Sequence, residues 1–343
     1  MRWKTACLIL GCTLAWGQQP AQRPAESAQE PAPIRVQVNE VIVPVTVTDD
    51  QGRFVSNLDK GDFRIFEDGK EQKIQYFTRE RNQPVVVGFV LDASNSTRLY
   101  WKTFRESVLE LVWNLLPGDR RFSGFLVTSS TEAELAVKTS SDPEKIVEKI
   151  RALKPGGGSA IYDAIYLACT RTDLVQGEPI EPRRVLIVLG DGSDNNSKYT
   201  LDQIVEIAQR SLVTVYCIST SAYGFRSEGA ANLERLALET GGRVEYPLEG
   251  VYKDVSGWLS TPGNAEEGNY ALKVGTGSYA SEIARSIFDS IAKITGEITT
   301  QYILRYVPSA TDNPAQFREV RVEVPGLPNV KIRARRGYFP YAP

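Results

Sequence analysis

The amino-acid sequence predicts an α/β protein: a doubly wound, mostly parallel sheet inserted in a small all-β sandwich formed by the N- and C-terminal flanks. Three observations predict it. Between residues 83 and 297, continuous apolar runs alternate with stretches of helical periodicity, the pattern of parallel strands covered on both faces. Outside that span the pattern is β only, with β-branched alternation and turn signals. Neither flank holds enough strands to close a core alone, so the economical arrangement pairs one with the other.

The elements follow in order. Arg2 and Lys4 precede an apolar stretch that ends near Trp16, and Ala15 and Gly17 are small where a signal peptidase reads. Residues 1–17 are therefore expected to be a signal peptide cut before Gln18. "ILGC", Ile9 to Cys12, gives a lesser second reading as a lipoprotein anchor at Cys12. The apolar stretch is short for a membrane span, and no run of spanning length follows. The expected location is outside the cytoplasm, periplasmic or secreted. Residues 18–33, rich in Gln, Pro, Ala and Glu, read as a disordered leader.

Residues 34–82 form the first part of the sandwich. "VIVPVTVT" is a strand, and "DFRIFEDGKEQKIQYF" is a hairpin turned at Asp68-Gly69. The α/β span starts with the buried strand "PVVVGFVLD" and the helix "WKTFRESVLELVWNLL", stopped by Pro117-Gly118. "RFSGFLVTSS" and "EAELAVKTS" form a strand pair, and a helix opens at Asp142-Pro143. "SAIYDAIYLACTRTDL", "LDQIVEIAQRS" and "ANLERLALETGG" read as helices, alternating with strands "RRVLIVLGD", "LVTVYCIST" and "RVEYP". A last helix runs from Tyr279 to Ile298. Residues 298–343 return to β, as "QYILRYVPS", "FREVRVEVPG" and "VKIRARRGYF". The connection at about 248–278 is long for this fold, and Tyr252, Trp258 and Tyr270 are candidates either for contact with a partner or for folding the loop onto its own domain.

Composition excludes several functions. A formal net charge of −2 over 343 residues gives no reason to expect nucleic acid as a partner. Histidine is absent, which removes the Ser-His-Asp triad, the Cys-His pair and every His-based zinc site. Two of the four cysteines lie in the signal, and Cys169 and Cys217 read as buried thiols. The basic cluster "RARRGYF", Arg333 to Phe339, reads as a solvated strand face, with a patch for an anionic ligand as the lesser reading.

Two buried strands end in aspartate, at "VLDASNS" and "VLGDGSD", and "PGGGSAIYDA" lies between them. Ligands of doubly wound sheets bind beyond the C-terminal ends of strands where their order reverses. If these strands adjoin there, Asp92, Ser94, Ser96, Ser159 and Asp191 converge as five oxygen donors. Two carboxylates with no nitrogen or sulfur suit a hard divalent cation, Mg²⁺ or else Mn²⁺ or Ca²⁺. A chain that stays extended past Asp92 would put alternate side chains on one side. No Gly-Lys-Ser/Thr follows the glycines, so a P-loop is excluded. Ser94 stands where an aspartyl-phosphate phosphatase needs its second acid, and no base serves a serine nucleophile. Asp194 reads as a solvated loop carboxylate, with a role supporting the site from behind as the lesser reading.

With these motifs in this order, the sequence resembles the von Willebrand factor type A domain and its metal-ion-dependent adhesion site. "DASNS", "GGGSAIYDAI" and "GDG" match the three motifs; Ser159 stands where the family carries Thr. The flanks resemble those of the exported bacterial group of such proteins often found in Acidobacteria. The resemblance implies a Rossmann-like fold and a cation at Asp92, Ser94, Ser96, Ser159 and Asp191. It implies a non-enzymatic binding or adhesion module whose protein partner supplies an Asp or Glu carboxylate as the missing ligand. The competing reading is a structural or assembly protein of the envelope, in which the cation is optional.

Overall fold

A computed structural model describes residues 40–79, 84–98, 101–118, 121–174, 182–221, 227–248, 252–253, 259–260, 277–308 and 316–340. The expected signal peptide, the leader, Trp258 and Tyr270 lie outside these residues, as does the side chain of Tyr252.

The N-terminal strands are β1 (Val41–Thr48), β2 (Arg64–Glu67), β3 (Lys70–Gln72) and β4 (Tyr76–Thr78). Then come β5 (Val85–Asp92), α1 (Trp101–Leu115), β6 (Phe122–Ser129), β7 (Ala133–Ser140), α2 (Glu144–Ala152) and α3 (Ile161–Thr170). They are followed by β8 (Arg183–Gly190), α4 (Leu201–Arg210), β9 (Val213–Ser219), α5 (Glu228–Thr240) and β10 (Val244–Glu245). A two-residue pair, β11 (Tyr252–Lys253) and β12 (Leu259–Ser260), precedes the long α6 (Gly277–Thr300). The chain closes with β13 (Tyr302–Tyr306), β14 (Arg318–Glu323), β15 (Lys331–Arg333) and β16 (Gly337–Tyr338).

The central sheet has the order β10-β9-β8-β5-β6-β7. Every neighbouring pair is parallel except β6–β7 at one edge. Val85, Val87, Phe89 and Leu91 of β5 pack with α1, α2 and α6, whereas Val86 and Val90 pack with α3, α4 and α5. With both faces covered, β5 needs apolar residues at every position, hence its unbroken run. Cys169 and Cys217 are free thiols in the second of these cores, as expected. Burial pushes Cys169 up to about 12.

The flanking strands interleave. One four-stranded sheet has the order β15-β1-β13-β4 and the other β16-β14-β2-β3. Each therefore combines strands from both ends of the chain, antiparallel throughout. Val41, Val43, Val45 and Val47 share a core with Ile65, Tyr302, Leu304, Tyr306, Val320 and Val322. The β2–β3 turn puts Asp68 and Gly69 at φ 48° and 77°, the left-handed pair that an Asp-Gly hairpin signals. The acid inside this core, Glu67, accepts from Tyr306 Oη at 2.7 Å and Tyr338 Oη at 2.8 Å, and pairs with Arg318.

The C-terminal run departs from expectation. "VKIRARRGYF" is not one strand: β15 pairs with β1, and β16 pairs with β14 in the other sheet. The crossing between sheets carries Arg335, and of the arginines in the basic cluster only Arg336 stands on an exposed face. Arg335 is 2% exposed, Arg333 pairs with the buried Glu297, and Arg336 reaches Glu239 at 2.9 Å. The sequence pattern missed this because guanidinium stems bury readily once a partner for the head exists in the fold. Glu297, on α6, also accepts from Thr46 Oγ1 of β1 at 2.9 Å and Tyr216 Oη of β9 at 3.2 Å. This polar cluster ties helix, central sheet and flanking sheet together.

Candidate functional site

Chain order reverses between β5 and β8: β5 leads outward to β6 and β7, and β8 to β9 and β10. The two strands pair directly from Val85–Arg183 to Leu91–Leu189. Loops that leave their C-terminal ends diverge and open a crevice there. Asp92 is the last residue of β5, and Asp191 directly follows β8.

Asp92 is fully buried. Its Oδ1 accepts from Ser94 N at 2.9 Å, and its Oδ2 accepts from Ser159 Oγ at 3.2 Å. The hydroxyl oxygens of Ser94 and Ser96 lie 3.0 Å apart. Ser94 and Ser159 are buried, Ser96 is exposed and Asp191 is half-buried. Ser193 N donates to Asp191 Oδ1 at 2.8 Å and orients it. Burial raises the Asp92 pKa to about 6; the Ser94 and Ser159 hydrogen bonds oppose this, and the negative charge of Asp191 adds to it. The five residues expected from sequence thus lie at and just beyond the C-terminal ends of the central strands and on the Gly156–Ser159 segment clamped to them.

The route to this geometry differs from the extended chain anticipated. Ser94 is extended, but Asn95–Thr97 forms a 3-10 turn, and Thr97 Oγ1 donates to Ser94 O at 2.9 Å. The turn, rather than strand alternation, brings Ser96 back to Ser94. A turn offers its backbone donors partners within the loop, which a lone extended segment leaving a sheet lacks.

The loop carrying Ser159 is clamped from both sides. Gly156 N donates to Ala93 O at 2.8 Å, and Asn95 N to Gly157 O at 3.2 Å. Ser159 N donates to Asn195 Oδ1 at 2.9 Å, and Ala160 N donates to Ser129 Oγ at 3.0 Å. A Cβ on Gly158 would stand 2.7 and 2.8 Å from the Asn196 and Asn195 side-chain oxygens, so only glycine allows this approach. A Cβ on Gly190 would lie 2.8 Å from Asp92 Cβ. Gly190 is thus the space Asp92 occupies between the strands.

Ser129, Gly190 and Asn195 are positioning residues that the motifs alone did not single out. Ser129 ends the strand beside β5, in register with Asp92, and that pairing is invisible before β6 is placed. Asp194 is not a solvated carboxylate: it accepts from Tyr162 N at 3.1 Å and from Ser197 N at 3.0 Å, bracing the start of α3.

Among the described residues, no three Asp, Glu, His or Cys side chains gather to hold a metal. The donors here are two carboxylates and three hydroxyls. Such an all-oxygen set with few charges fits a small hard cation that keeps part of its water shell.

Fold and crevice define an α/β domain with an oxygen-lined edge at its strand-order reversal. Residues 87–193 match the sequence profile of the von Willebrand factor type A domain, and the chain contains such a domain. Solved structures with similar folds include the vWF domain of the type V pili tip protein Mfa5 from Porphyromonas gingivalis. It is 22% identical, with 33% of this chain and 39% of that chain covered and a TM-score of 0.30; the match thus spans less than half of that structure. A conserved hypothetical protein, BatB from Bacteroides thetaiotaomicron, is 16% identical over 63% of this chain and 97% of its own, with a TM-score of 0.38. The PilB minor pilin from Streptococcus sanguinis is 13% identical over 67% of this chain and 64% of its own, with a TM-score of 0.43. No curated protein matches the chain.

Proposed function

We propose that this protein is an exported binding module, adhesive rather than catalytic, that engages a partner protein through a divalent cation. Asp92, Ser94, Ser96, Ser159 and Asp191 would hold the cation, directly or through water. A Mg²⁺-class ion supplies the positive charge that a partner's Asp or Glu carboxylate ligates. The reading divides the mature chain into the binding domain, 83–297, and a supporting sandwich from 34–82 and 298–343. Residues 1–17 direct export.

The observation that carries this reading is the gathering of five oxygen-bearing side chains, with a fully buried carboxylate, Asp92, at their centre. A buried carboxylate beside a second acid has an unfavourable charge until a cation or proton joins it. Among the described residues, Asp92 has no basic partner there, and the groups that bond to it are the neutral Ser94 N and Ser159 Oγ. Calorimetric titration with Mg²⁺ and Mn²⁺ tests the reading. Wild type should bind one equivalent, and Asp92→Ala should lose binding while its circular dichroism stays native. Equal affinity in the two proteins, or none in wild type, defeats it.

A further inference from the structure

Ser159 is the member of the candidate site with the least hold on its own side chain. It follows Gly156-Gly157-Gly158, a run without side chains. Serine has no branch at Cβ, so all the staggered positions are open to its hydroxyl. That hydroxyl donates to Asp92 Oδ2 at 3.2 Å, long for an O–H donor. To hold an ion it must nevertheless point one way.

The backbone carries the restraint instead. Ser159 N donates to Asn195 Oδ1 at 2.9 Å, and Ser159 O accepts from Asn195 N and Asn196 N, each at 3.0 Å. One residue, Asn195, thus binds the peptide groups on both sides of the Ser159 Cα. This fixes φ and ψ, and with them the direction of the Cα–Cβ bond. Rotamer choice depends on φ and ψ, so the hydroxyl's positions narrow too. Asn196 extends the grip: its Nδ2 donates to Thr131 O at 3.2 Å, and Thr131 Oγ1 accepts from Gly158 N at 3.4 Å.

The gripping loop is itself braced, through the bonds that Asp194 accepts from Tyr162 N and Ser197 N. Asp191 and Asn195 stand on this one loop after β8. The first presents a carboxylate to the site, and the second holds the segment that presents Ser159.

We propose that Asn195 is a positioning residue for the cation. By holding the backbone of Ser159, its side chain keeps the Ser159 hydroxyl directed at the ion and so sets cation affinity. It supplies the restraint that a β-branch at position 159 would otherwise give. The proposal rests on the cation reading above. Asn195 is exposed, so its side chain can be removed without opening a cavity in either core.

Mg²⁺ titration calorimetry and amide hydrogen exchange in EDTA test the proposal on the intact protein. Asn195→Ala keeps the backbone donor but removes the acceptor of Ser159 N. Its Mg²⁺ affinity should fall roughly tenfold, with the urea midpoint nearly unchanged. Without cation, its Ser159 amide should exchange roughly tenfold faster than in wild type. Asn195→Asp restores an acceptor and should restore slow exchange. Ser159→Thr should recover about threefold in affinity in the Asn195→Ala protein, the share of one staggered well among three, and less than about twofold in wild type. Equal Mg²⁺ affinity in wild type and Asn195→Ala overturns the proposal, as does an equal Ser159→Thr gain in both backgrounds. A wild type that binds no Mg²⁺ brings down the cation reading and this proposal with it. Weaker Mg²⁺ binding by Asn195→Ala with Ser159 exchange unchanged overturns the proposal alone. Should Ser159→Thr fail to fold, the affinity and exchange of Asn195→Ala still decide.

Discussion

Replacing Asp92 by Asn should stabilise the cation-free protein at neutral pH while destroying its ability to gain from Mg²⁺. Asn has the same shape, can still accept from Ser94 N, and can donate to Ser159 Oγ where Asp92 accepts. What it removes is a buried charge. The Asp92 pKa is raised from 3.8 to about 6, chiefly by burial. A carboxyl raised in the fold favours its protonated form there, so ionisation costs stability. At about 1.4 kcal/mol per pH unit between the two values, the cost is on the order of 3 kcal/mol above pH 6. It shrinks as pH falls from 6 to 3.8 and vanishes below 3.8, where folded and unfolded chains are both protonated. In EDTA at pH 7.5, Asp92→Asn should therefore melt roughly 5 °C above wild type, with the gap closing towards pH 4. Adding Mg²⁺ should lift wild type alone, because the cation offsets the charge of the ionised carboxylate that Asn lacks. Differential scanning fluorimetry across pH, with and without Mg²⁺, measures both arms. A variant no more stable than wild type at pH 7.5, or a gap that does not change with pH, would refute the reasoning.

Three further outcomes are expected. Gly190→Ala places a methyl group on Asp92 and should cost about 1–3 kcal/mol in urea unfolding, with cation affinity falling more than stability. Glu297→Met removes the acceptor shared by Thr46, Tyr216 and Arg333 and should cost about 3–5 kcal/mol; adding Arg333→Met to it should then cost little, and additivity in that double-mutant cycle would sink the coupling. Deleting 301–343 removes β13 and β15 from either side of β1, and β14 with β16 from the side of β2. Hydrogen exchange should then show β1 and β2 unprotected and the protein prone to aggregate, whereas unchanged protection would contradict the interleaved sheets.

The sequence by itself determined the kind and order of the main elements. Short, β-branched apolar runs at β5, β8 and β9, alternating with amphipathic stretches, read as strands covered on both faces, and Asp68-Gly69 and Gly241 placed a turn and a helix end by local backbone preference. It also determined which oxygens stand at strand ends, because the side-chain type and the end of an apolar run are both local facts. Tertiary structure decided which strands adjoin. That β5 meets β8 depends on packing among helices distant in sequence, and on it rests the meeting of Asp92 with Asp191. The same holds for Gly190, whose missing side chain matters only because Asp92 fills the space, and for Ser129 and Asn195, which brace Ala160 and Ser159 across 31 and 36 residues. The arginines of "RARRGYF" make the point most sharply. By composition they belong to water, and only the fold, by setting Glu297 beside Arg333 and packing Arg335 against the end of α5, draws these two inward while Arg336 stays exposed. Burial of a charge is decided by the partner that three-dimensional packing supplies, and local sequence does not contain that partner.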